Sequence, residues 1–240
     1  MNNIKPLSNL LELFKFLMAK SNFGTPNFPV KYNLVEENSP KLIVFLGDNG
    51  SGKSLLTTQM TAMAKKIHNV SGYSMSMNTR TKEGNFKVFM YEPEEDNSTG
   101  VITVSAVMQG VNHCFSNAKK GSNMMLLLDE PTLGLSSRYE RAMGKYLVDN
   151  IKDNESNEHF KGVLLVTHFK DMVREIVESG YLPSVVSVNN ERTLKEWLDD
   201  NSSATVEELL SLKNTGLERW REVNNYFKNQ QRFQSIKKDI

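Results

Sequence analysis

Eight consecutive residues carry the densest chemical information in this chain. Gly47, Asp48, Asn49, Gly50, Ser51, Gly52, Lys53 and Ser54 fit the pattern G-x-x-x-x-G-K-[ST] of a phosphate-binding loop. The glycines let backbone N–H groups wrap a phosphate chain, and a helix opening at the end of the loop adds its dipole. Lys53 then neutralises charge at the β- and γ-phosphates, and Ser54 offers its hydroxyl to magnesium. The binding segment runs from Gly47 through Leu55. Further along, the apolar run Met124 to Leu128 delivers Asp129 and Glu130 to a strand end, where open α/β sheets place their ligands. Asp129 is assigned to orient magnesium through its water shell, and Glu130 to polarise an attacking water as general base. A third apolar run, Val163 to Val166, delivers Thr167 and His168. In such a sheet His168 faces the γ-phosphate; taken alone it reads first as a satisfied structural histidine.

These groups act together only if strands and helices alternate. Lys41 to Leu46, Met124 to Leu128 and Val163 to Thr167 read as buried strands, with Val30 to Val35 as a further extended segment. After Gly52, the positions Leu56, Met60, Met63 and Ile67 fall on one helical face. A second helix is predicted from about Ser105 to Ala118, and a third behind the capping-box pattern Ser137-Arg138-Tyr139-Glu140. A fourth is closed by Gly180 and Pro183. The expected fold is α/β, a mainly parallel sheet with helices on both faces. Residues 1–24 form an amphipathic helix with Ser8 as a possible cap, and 25–190 the main domain. Within it, 69–100 read as a polar surface lobe, with Phe86 to Tyr91 as a short strand and an acidic patch at Glu92 to Asp96. Residues 191–240 form a helical region, where Leu217, Trp220, Val223 and Phe227 share a face. That face reads as a packing or dimer stripe before it reads as base-stacking groups.

Composition excludes several classes. The chain has 240 residues and a net charge of +1, so any nucleic acid or anionic membrane must meet a local patch. The longest apolar runs are five residues, against the roughly 20 that cross a bilayer, so no membrane insertion is expected. The N-terminus carries neither a secretory h-region nor an Arg-rich transit pattern. The single cysteine, Cys114, fits a reducing compartment, and a cytoplasmic location is expected. His68, His113, His159 and His168 lack metal-ligand spacing, and no internal repeat is present.

Taken together, GDNGSGKS, LLLDEPTLGLS and LLVTHF resemble the nucleotide-binding domain of the ABC ATPase superfamily. The resemblance implies a P-loop ATPase that binds ATP and Mg2+, with Lys53, Glu130 and His168 catalytic, Ser54 and Asp129 at the metal, and Gly134 to Ser136 as a D-loop. Ser136 stands where transport ATPases usually carry Asp. Such proteins sandwich ATP between two domains, each closing the other's site with a signature segment, so a homodimer is expected. No LSGGQ is present. Its candidate replacement is the helix start at Val104 to Gln109, with Ser105 either donating across the dimer or serving as an ordinary N-cap.

Only 76 positions separate Lys53 from Asp129, a spacing that resembles the ATPase domain of MutS mismatch-repair proteins. Asn49, Gln59, Gly134, Ser136 and the sequence Thr167-His168-Phe169 also match that pattern, and Phe28 stands near where the MutS aromatic stacks on adenine. Phe28 reads as readily as a loop residue anchored in the core. Pro131-Thr132-Leu133 follows general ABC proteins, and the chain is too short for the mismatch-binding and lever domains. The expectation is an ATP-hydrolysing, nucleotide-dependent dimer in DNA processing or genome maintenance, with DNA or a DNA-processing protein as possible partner. The alternatives are the ATPase subunit of a membrane transporter and an ATP-dependent switch regulating a partner protein.

Overall fold

The computed structural model describes residues 6–75 and 99–236. Three runs of apolar sequence build its centre. β2 (Ser39–Leu46), β4 (Met124–Asp129) and β5 (Phe160–Val166) lie side by side and parallel. Strands covered on both faces need apolar side chains at successive positions, and the runs LIVFL, MMLLL and VLLV supply them. Alternate residues then feed opposite layers. Leu42, Val44, Leu46, Leu126, Leu128, Val163 and Leu165 face one core, and Ile43, Phe45, Met125, Leu127, Leu164 and Val166 the other.

Three more strands complete a six-stranded sheet of order β1-β6-β2-β5-β4-β3. β3 (Ser71–Met75) and β6 (Pro183–Val188) run parallel to their neighbours β4 and β2, whereas β1 (Tyr32–Glu36) pairs antiparallel with β6. The fold is therefore α/β with a mostly parallel sheet.

The first core is covered by α3 (Thr99–Lys119), α4 (Glu140–Asp153), α5 (Lys170–Glu178) and α6 (Leu194–Asp199). On α3, the predicted stripe of Val107, Val111, Cys114 and Ala118 is buried throughout. The second is covered by α1 (Leu10–Lys20) and α2 (Lys53–His68), with the C-terminal half of α7 (Val206–Ile236) contributing Val223, Tyr226 and Phe227. Burying a side chain of this size contributes about 1.5–3 kcal/mol. That is why Leu10, Leu13 and Leu17, all 1% exposed or less, hold α1 to the sheet. No helix among the described residues is long and apolar enough to cross a membrane.

Several local expectations are corrected. The α1 cap is Asn9, whose side chain accepts from Glu12 N at 3.0 Å, while Ser8 N donates to the Glu12 carboxylate. Ser137–Tyr139 form a 3-10 turn, and α4 starts without a side-chain cap bond, so Ser137 closes no capping box. Residues 71–75 of the polar lobe are an edge strand of the sheet. The expected strand Phe86 to Tyr91 and the acidic patch Glu92 to Asp96 lie outside the described residues. Pro183 begins β6 and does not merely stop a helix; α5 ends earlier, where Gly180 takes a φ of 76°.

Candidate functional site

The sheet brings the three motifs together at the C-terminal ends of β2, β4 and β5, lining one cleft of about 370 Å³. Asn49 to Leu55, Asp129, Glu130 and His168 form one wall of it, and Val30, Gly216, Arg219, Trp220 and Val223 the other. Gly47 and Asp48 complete the loop beneath.

The loop needs its glycine at position 52. Gly52 caps α2 with a φ of 109°, and a Cβ there would stand 3.0 Å from the Val30 side chain. Two residues outside the motif hold the loop: Tyr32 Oη donates to Gly52 O at 3.0 Å, and Asn189 Nδ2 to Ser51 O at 3.0 Å. Burial pushes the Tyr32 phenol pKa up against the pull of the Arg219 guanidinium, so Tyr32 stays a donor. Neither residue was singled out from sequence. Asn189 follows a strand hidden behind Pro183, and Tyr32 lies in the extended segment Val30 to Val35, which carries no motif.

Lys53 is buried, with its ammonium bonded to Gly47 O at 2.6 Å and Asp48 O at 2.9 Å. Desolvation lowers its pKa, and the nearby Glu130, Asp48 and Asp129 carboxylates oppose that shift. Its Nζ also lies 3.3 Å from His168 Nε2. His168 is pushed down to about 4, by burial first and the Lys53 charge second. A neutral imidazole accepting from Lys53 fits this arrangement. The Glu130 Oε1 contact at 3.6 Å is accordingly not a charged pair, although its distance alone would admit one.

Ser54 Oγ lies 3.4 Å from Asp129 Oδ2. That separation suits a hard cation ligated by Ser54, with Asp129 beside it or accepting from one of its waters. No cluster of three acidic, His or Cys side chains suited to a metal occurs among the described residues. Ser51 Oγ is buried at the loop with no hydrogen-bond partner.

Glu130 sits in the left-handed region at φ 55°, uncommon for a residue with a Cβ. Such a conformation costs on the order of 1–3 kcal/mol and persists where surrounding contacts enforce it. Here Glu130 N donates to Val166 O at 2.8 Å, and the side-chain Oε2 accepts from His168 N at 3.3 Å and Thr167 Oγ1 at 3.4 Å. Burial raises the carboxyl pKa; the His168 N–H is the largest opposing influence. The result is a carboxylate fixed in direction and more basic than an exposed one.

Two predicted residues lie elsewhere. Phe28 is 1% exposed and ringed by Phe23 at 4.7 Å, Tyr226 at 5.2 Å and Phe227 at 6.0 Å. No face of its ring is open to a base, so its place is the core. Ser105 is not a helix start, because α3 begins six residues earlier at Thr99. It lines a second cleft with Gly134 and Ser136, sharing no residue with the first. Thr103 ties α3 to that loop through a 2.8 Å bond to Leu133 O.

No family model matches this chain, and no curated protein or solved structure matches it either.

Proposed function

We propose that the chain is a P-loop ATPase that binds ATP with Mg2+ and hydrolyses it at the ends of β2, β4 and β5. The observation that carries this reading is the convergence of Lys53, the Ser54–Asp129 pair and a directed, basic Glu130 on one cleft. The loop amides and Lys53 bind and orient the phosphates. Ser54 and Asp129 would hold the magnesium, which when bound would supply charge neutralisation at the phosphate oxygens. Glu130 accepts a proton from the attacking water, while the Thr167 hydroxyl and the His168 amide hold its carboxylate in place. His168, neutral at ordinary pH, adds no second positive charge beside Lys53.

The two-copy mechanism rests on the resemblance to ABC and MutS ATPases, as does the DNA-processing context. Ser105, Gly134 and Ser136 sharing one cleft supports that mechanism, because a second copy's phosphates would have to meet such a face. Calorimetric titration with Mg-ATP tests the binding. Losing a charge-assisted contact worth about 1.5–3 kcal/mol, Lys53→Ala should bind about 10- to 150-fold more weakly. Equal affinity would remove the phosphate site from this loop. Light scattering of Glu130→Gln should show its mass doubling with Mg-ATP; a mass indifferent to nucleotide would sink the shared site.

A further inference from the structure

The nucleotide's base has no partner in the motifs, and Phe28, the aromatic the sequence offers, is enclosed. The far end of the cleft is built by a single face of α7, where Gly216, Arg219, Trp220 and Val223 recur at helical spacing. The helix passes the crest of the loop closely: a Cβ on Gly50 would lie 3.4 Å from Gly216 Cα. One turn further, Trp220 lines the cleft at 65% exposure, an open placement for so large an apolar surface.

Its neighbour Arg219 is fixed by bonds from Nη1 to Pro29 O at 3.0 Å and to the Glu222 carboxylate at 3.1 Å. The Arg219 Nε is buried without a hydrogen-bond partner. Arg219 itself lines the same cleft, held in place by those two bonds. Below them Val223 joins the apolar core, and Tyr226 bonds Thr25 at 3.1 Å, so this stretch of α7 is anchored to the body.

We infer that α7 is the base-binding element of the site, with the base stacking on the Trp220 indole beside Arg219. The inference rests on the proposed nucleotide site at the loop. A purine offers the larger stacking face. Val30 and Val223 line the same cleft.

The test separates base from phosphate. Wild type and Trp220→Ala are titrated with ATP and with inorganic tripolyphosphate, both in Mg2+, and their masses are followed by light scattering. Because Trp220 is largely exposed, its removal should leave folding intact, and Trp220→Phe, which keeps a stacking face, should restore ATP binding. The expected result is ATP affinity weakened about 5- to 150-fold in Trp220→Ala, with tripolyphosphate unchanged. If both ligands bind wild type but the substitution alters neither, the base is held elsewhere and the phosphate site stands. If both weaken equally, Trp220 acts on the loop and not on the base, and the inference falls. A change of mass without a change of ATP affinity would make Trp220 part of a self-association face. If neither ligand binds the wild type, the phosphate site and the base site fall together.

Discussion

Replacing Phe28 separates a core role from a base-stacking role, and the structure fixes the size of the effect. The ring is 1% exposed and contacts Phe23, Tyr226 and Phe227 with centroids 4.7 to 6.0 Å away. Truncating a buried Phe to Ala costs about 3–5 kcal/mol through lost transfer energy and the cavity left behind. For a chain of this length each kcal/mol moves Tm by about 2–4 °C, so Phe28→Ala should melt roughly 6–20 °C below wild type. Two of the three partners belong to α7, so that helix should loosen first, visible as faster amide exchange across residues 223–227. Phe28→Leu preserves most of the volume and should cost far less. Thermal denaturation with and without saturating Mg-ATP, beside calorimetric ATP affinity for Phe28→Leu, checks both halves. Unchanged stability together with a tenfold or greater loss of ATP affinity in Phe28→Leu would refute the burial argument and return Phe28 to the base.

Gly52→Ala forces a Cβ into a φ of 109° against Val30, so it should abolish detectable ATP binding while leaving the far-UV spectrum of the protein intact; near-wild-type affinity by calorimetry would contradict the loop geometry. Ser105→Ala falls inside α3, so urea denaturation should find stability unchanged or raised by up to about 0.5 kcal/mol; a loss of about 1 kcal/mol would indicate a cap after all. Because the Glu130 carboxyl is raised and must be ionised to take a proton, turnover should fall on acidification at a pH above the ordinary carboxylate range; a profile flat down to pH 4.5 would exclude Glu130 as the base. The folded pKa of His168, about 4, lies below its ordinary 6.5, so its stabilising contribution is present above 6.5 and is lost as pH falls through 4. His168→Gln should flatten that part of the stability curve.

The motif residues are legible because the pattern fixes particular side chains at set spacing, and the central strands because they are covered on both faces. The layers followed from the same runs. What escaped the sequence had physical camouflage. β6 is fully buried yet carries Ser184 and Ser187, tolerated because Ser184 Oγ donates to Ser39 O at 2.8 Å and Ser187 Oγ to the Asn190 side chain. Its leading proline reads as a stop. β3, with the sequence SGYSM, is an edge strand that needs only Tyr73 and Met75 inside. The start of α3 at Thr99-Gly100 has weak helix formers and no apolar stripe to announce it. The positive φ of Glu130 comes from tertiary contacts with Val166, Thr167 and His168, and no local pattern encodes it. The cleft's second wall depended on where α7 comes to rest, which the spacing of Leu217, Trp220, Val223 and Phe227 left open between packing and pairing.

Single-turnover phosphate release from Mg-ATP bound to wild type and to Glu130→Gln tests the central claim most directly. The amide keeps the shape and the hydrogen-bond acceptor of the carboxylate while removing its basicity. Both proteins should bind ATP with similar affinity, and Glu130→Gln should release phosphate about 10²- to 10⁴-fold more slowly. Release at the wild-type rate would contradict Glu130 as the base, and with it the reading of this cleft as the site of hydrolysis.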